Sequence, residues 1–107
     1  MTRLINVQTS TFTREDAEKL ARTLVEQRLT SCVNIFRNEV SIYEWQNEMC
    51  AKQEYIMHIK TRAELFDKLA AAIKAHHPFD VPAIFGWDAP YAEAEYAAWV
   101  IEQTAQK

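Results

Sequence analysis

Two histidines, His76 and His77, stand side by side in the stretch AHHPFDVPAIFGW, with Pro78 and Pro82 close behind. Imidazoles can hold a metal or move a proton. Neighbouring side chains on a helix diverge, however, and chelation from a helix uses pairs at i, i+4, as in H-E-x-x-H, a pattern the chain does not contain. The competing reading is a helix end, where a cationic histidine suits the dipole and can bond free carbonyls. That reading is favoured for each histidine taken alone. The thiolate of Cys32 is soft and suits Cu(I) or Zn, although a free cysteine is more often a small buried strand residue. Cys50 is the only other cysteine, and no C-x-x-C or Cys/His quartet is present. Glu54 and Lys60, with Tyr43 and Trp45 nearby, could support proton transfer. An interface ion pair with aromatic anchors explains the same four residues and is preferred. Tyr96 and Trp99, at i, i+3, read as packing residues. Neither a nucleophile elbow nor a paired-carboxylate motif appears, so no catalytic residue is assigned.

The elements that must position these groups follow from the apolar spacing. RLINVQT reads as a first strand. Thr13 then caps a helix carrying Ala17, Leu20, Ala21, Leu24 and Val25, with Asp16 in its first turn. Strand formers run from Cys32 to Trp45. Gln46-Asn47-Glu48 is the best turn, because Asn tolerates positive φ. Tyr55, Met57 and Ile59 alternate with polar residues in a second arm. Arms of this length outrun the core of a small domain, and another subunit is the simplest cover for their tips. Thr61 with Glu64 makes a capping-box pattern for a second helix whose stripe is Leu65, Phe66, Leu69, Ala72 and Ile73. Pro78 ends that helix near His77. VPAIFGW reads as a last strand with Pro82 at its start or on an edge. The alanine-rich tail forms a third helix.

The order is β-α-β-β-α-β plus a helix, predicting an α+β, ferredoxin-like domain spanning residues 1–107 with a four-stranded antiparallel sheet, a long hairpin and a C-terminal helix. Helices would cover one sheet face. Val33, Ile35, Ile42, Tyr43 and Trp45 do not leave the other clearly polar, which again points to oligomerisation. With 107 residues, 49% of them hydrophobic and 25% charged, the composition is that of a soluble globular domain. A net charge of -3 with scattered Lys and Arg excludes a nucleic-acid stripe. Gly86, the only glycine, excludes Gly-rich phosphate loops. The lack of a signal-like start or a long apolar run leads to an expected cytoplasmic location and no membrane partner.

LVEQRLTSCVNI, SIYEW, EYIMHIKT, HHPFDVP and YAAW, in this order and spacing, resemble the CutA divalent-cation-tolerance family over nearly the full length of the chain. The resemblance implies a homotrimer with hairpins wrapping neighbouring subunits, and a link to tolerance of copper and other divalent metals. It raises His77 as a cleft-lining residue and matches Cys32, so these two are the implied metal ligands; Cys50 does not match. The stretch HHPFDVP is thereby implied to line a cleft between subunits, and Glu54, Lys60, Tyr43 and Trp45 on the hairpin arms are the candidate ligand-binding residues. The chain departs from the family where Arg37-Asn38 replaces a Pro-Gly kink, where Gln46-Asn47 replaces a Gly after the hairpin Trp, and in IFGWDAP. In Pro82-Ala83-Ile84, Ala83 replaces a Glu and so removes a carboxylate from the cleft edge. The implied function is non-enzymatic metal-ion tolerance with no required cofactor. Two alternatives stay open: a PII-like sensor, in which Lys60 and His77 meet an anionic ligand, and an enzyme whose site forms between subunits.

Overall fold

The computed structural model describes residues 2–106 and contains four strands and three α-helices. These are β1 (Leu4–Thr11), α1 (Arg14–Glu26), β2 (Cys32–Trp45), β3 (Glu48–Arg62), α2 (Phe66–His76), β4 (Phe85–Asp88) and α3 (Ala94–Gln103). The sheet order is β2-β3-β1-β4, with every neighbouring pair antiparallel. This is the expected ferredoxin-like arrangement.

Alternation along the strands sorts side chains to two faces. Val7, Met57 and Ile59 pack under Ala17, Leu20 and Leu24 of α1 and Leu69 and Ile73 of α2, and these residues form the core. Helix α1 begins as its sequence dictates: the Thr13 hydroxyl accepts the Asp16 N–H at 3.1 Å. It ends in a Schellman turn, with Arg28 N–H donating to the Val25 carbonyl and Leu29 N–H to that of Leu24. Arg28 takes the left-handed φ of 59° that glycine usually occupies. Its guanidinium reaches the carbonyls of Glu102 and Ala105 at 2.9 and 3.0 Å, tying the end of α3 to the end of α1. Arg62 does the same from β3, bonding Thr104 through its hydroxyl and its carbonyl.

The hairpin turn lies where expected. Trp45 pairs with Glu48, and Gln46 and Asn47 both have positive φ, as a two-residue primed turn requires. The arms have 14 and 15 residues. An irregularity in pairing between Asn38 and Ser41 bends the outer arm, and the Asn38 amide donates to the Ser41 hydroxyl there at 2.8 Å. A break thus persists at the position where Arg37-Asn38 stands in place of a Pro-Gly kink.

Three expectations need correction. Thr61 does not cap the second helix. It pairs with Ile5 inside β3, and a short 3-10 turn (Ala63–Leu65) separates it from α2. The ladder wins because it continues through Leu4 and Arg62 and the Ala63 N–H donates to the Arg3 carbonyl. The last strand is also shorter than VPAIFGW. It starts at Phe85, because Pro82 has no N–H to give β1 and the Ser10 carbonyl accepts from the His77 ring instead. Finally, Val33 and Ile35 pack against the helix-side core. The second face instead carries Phe36, His58 and Trp87, in edge-on contact at centroid distances of 4.9 and 5.5 Å. Helix α3 covers only the Leu4–Arg62 end of that face, with Val100 buried beneath it.

Candidate functional site

At the opposite end, β2 and β3 continue past the end of β1, and the loop after α2 crosses beside them. Together they enclose a cleft of about 420 Å³ whose walls include Tyr43, Trp45, Glu54, Phe12, Phe79 and Asp80. Three of the expected residues, Tyr43, Trp45 and Glu54, are therefore brought together. Ala83 lies on the same wall, where the resemblance had placed a missing carboxylate.

His77 builds this wall without entering it. Pro78 forbids helical geometry at His77, which adopts φ -92°, ψ 139° and ends α2. Its Nδ1 accepts the Phe79 N–H at 3.1 Å, so the proton must sit on Nε2, which donates to the Ser10 carbonyl at 2.6 Å. Burial pushes this imidazole below its ordinary pKa, against opposing pulls from the Ser10 hydrogen bond and from Asp16. The ring also stacks edge-on against Phe79, and Phe79 in turn packs on Phe12 with centroids 4.3 Å apart. His77 is thus the post on which two aromatic walls are fixed. With both nitrogens committed to backbone groups, it has no lone pair free for a metal.

Lys60 and Cys32 lie elsewhere. They are cross-strand partners on β3 and β2. The Lys60 ammonium bonds the Asn34 side chain, and burial lowers its pKa, with Cys32 alongside opposing the shift. Six residues along β3 separate Lys60 from Glu54, roughly 20 Å in an extended strand. Cys32 is likewise about four residues along the strands and two strand spacings across from Ser10, where His77 is anchored. Within one protomer, Cys32 and His77 do not fit a shared copper ion, and Lys60 and His77 do not converge on one anion. Among the described residues, no three His, Cys, Asp or Glu side chains group as a metal shell.

Glu54 is 8% exposed, and its carboxylate makes no hydrogen bond or ion pair among the described residues. Tyr43 beside it has its phenol pushed above the ordinary value, first by burial and then by Cys50 and the Glu54 charge. Phe79 and Asp80 fall within HHPFDVP, the stretch that the resemblance implies lines a cleft; Phe12 was not foreseen, and the one signal for it was its position directly before the Thr13 cap.

The family model described as CutA1 divalent ion tolerance protein matches residues 5–103. The divalent-cation tolerance protein CutA of Thermus thermophilus is 41% identical over 90 residues, covering 84% of this chain and 87% of the relative. Among solved structures, the divalent ion tolerance protein CutA1 of Ehrlichia chaffeensis superposes with a TM-score of 0.91 at 35% identity, over 98% of each chain. The protein of Archaeoglobus fulgidus described as a periplasmic divalent cation tolerance protein CutA gives 0.89 at 30% identity, over 98% of this chain and all of the other. No helix among the described residues is long and apolar enough to cross a membrane.

Proposed function

Since the chain belongs to the CutA1 divalent ion tolerance family, we propose that it serves divalent-cation tolerance as a homotrimer in the cytoplasm, without enzymatic chemistry. The observation that carries this reading is the hairpin arm. Ile42 and Met49 near its tip are 70% and 76% exposed, and Trp45 is 43% exposed. Ile42 and Met49 have nothing to pack on within the protomer and Trp45 is covered only in part, and a second copy supplies that cover. The aromatic row Phe36, His58, Trp87 on the uncovered face supports the same assembly. Copper meets the chain weakly, through the Cys32 thiol. Cells lacking the gene should lose growth in elevated copper. The wild-type chain should restore it, and a variant that stays monomeric should not. Equal growth with and without the gene overturns the tolerance role.

A second reading, a small-ligand sensor, is favoured by the cleft at Glu54, an uncompensated carboxylate in an aromatic recess. The groups in that recess are acidic, so the expected anionic ligand gives way to a cationic one.

A further inference from the structure

We propose that the cleft binds a small alkylammonium cation, its charged nitrogen at Glu54 and its alkyl groups against Phe12, Tyr43, Trp45 and Phe79. This rests on the sensor reading above and names its ligand class. A carboxylate that faces a recess without a protein partner is open to a cationic ligand, and a charge-assisted contact there is a strong one. Glu54 is 8% exposed, makes no hydrogen bond or ion pair among the described residues, and lines the cleft. The second carboxylate of the cleft, Asp80, lies in the exposed loop at its rim, so the whole recess favours positive charge. The four rings then decide between kinds of cation. A hard divalent ion needs several oxygens, and a softer one needs imidazole or thiolate. This lining offers one buried carboxylate, and His77 behind it has both nitrogens committed. Ring faces are poor metal ligands, yet they attract ammonium groups, most strongly when these are methylated and weakly hydrated. A volume of about 420 Å³ lies within the range of small-molecule sites.

The test is calorimetric titration of the full-length protein in its native oligomer with tetramethylammonium chloride and with 1,4-diaminobutane, using sodium chloride and inorganic phosphate as controls. At least one ammonium probe should give saturable heat. Glu54→Gln, which keeps the shape, should weaken it about tenfold or more, as loss of a charge-assisted contact implies. Melting curves and light scattering of that variant establish that it is folded and assembled. If Glu54→Gln proves unstable, Phe12→Leu, which removes one ring face of the lining, should weaken the same heat, and unchanged heat in it overturns the ring contact. The absence of saturable heat with either ammonium probe overturns the proposal. A crystal of the oligomer with a neighbouring copy's lysine or arginine seated on Glu54 also overturns it. Should phosphate raise the melting temperature while the ammonium probes do not, the charge assignment is wrong and the sensor reading survives. If no probe acts at all, both fall.

Discussion

The Nε2–H of His77 donates to the Ser10 carbonyl at 2.6 Å, so a loop residue is locked to the last turnless stretch of the first strand. The bond works only with a neutral ring, since Nδ1 must accept from Phe79 at the same time. The groups facing this imidazole are Asp16 and Lys19 on α1 and His76 beside it. Its folded pKa lies below the ordinary 6.5 because it is buried. In the interval between the folded value and 6.5, the unfolded chain binds the extra proton, so stability rises with pH there. His77 therefore contributes fully above about pH 6.5 and is lost as pH falls towards its folded value. His58 is shifted the same way by burial and by Lys60, and adds to the effect. Melting curves from pH 7.5 to 5 should show a decline that is shallower in His77→Gln. An identical decline in that variant assigns the effect to other groups.

Gly86 of β4 pairs with Val7 of β1 and leaves no room for a side chain. A Cβ there would stand 2.8 Å from the Asn6 carbonyl oxygen and 3.2 Å from a Val7 methyl. Neither can retreat easily, since Val7 lies in the core and Asn6 is fixed in the ladder. Gly86→Ala should therefore cost about 1–3 kcal/mol, read as a lower denaturant midpoint with unchanged slope. An unchanged midpoint would mean that β4 is free to shift away.

How far the sequence carries is clearest at pairs of residues. Thr13 with Asp16, and Gln46 with Asn47, are local signals, each satisfied by its own backbone, and both stand as read. Thr61 with Glu64 is as good a local signal, but β1 already holds that stretch as strand, and tertiary pairing prevails. The site was half legible. Period-two alternation places Glu54 and Lys60 on one face, yet it carries no information on which stretch of a long arm meets a cleft. That depends on where β1 ends and where the loop after α2 crosses. Phe12 and Phe79, joined by ring packing alone, are 67 positions apart and give no periodic signal.

Copper should report on Cys32 alone. Its thiol lies beside Lys60 at the end of the sheet next to Tyr96 of α3, whereas His77 has no free nitrogen. Titration of Cu(I) should give weak binding that Cys32→Ser largely removes, and His77→Ala should lower stability while leaving that binding in place. Chelator should not lower the melting temperature, because the core of Leu24, Met57, Ile59, Leu69 and Ile73 needs no metal. Tight stoichiometric copper in Cys32→Ser would place the ligands elsewhere.

Trp45 flanks the hairpin turn and forms one wall of the cleft. With a neighbouring copy packed on the arm, Trp45→Ala should weaken assembly by about 2–4 kcal/mol, as anchors at interface centres do. Dissociation on dilution, followed by sedimentation, gives the difference between variant and wild type. Equal dissociation would place Trp45 outside the contact.

In the proposed homotrimer the long arm and the uncovered sheet face are covered by two further copies. Light scattering of the purified protein at micromolar concentration measures this without any ligand or host. A homotrimer has a mass about three times the 12.5 kDa of the chain, and that mass is the expected result. A monodisperse monomer would rule out that assembly, because the arm would then stand in water with Ile42 and Met49 unpacked.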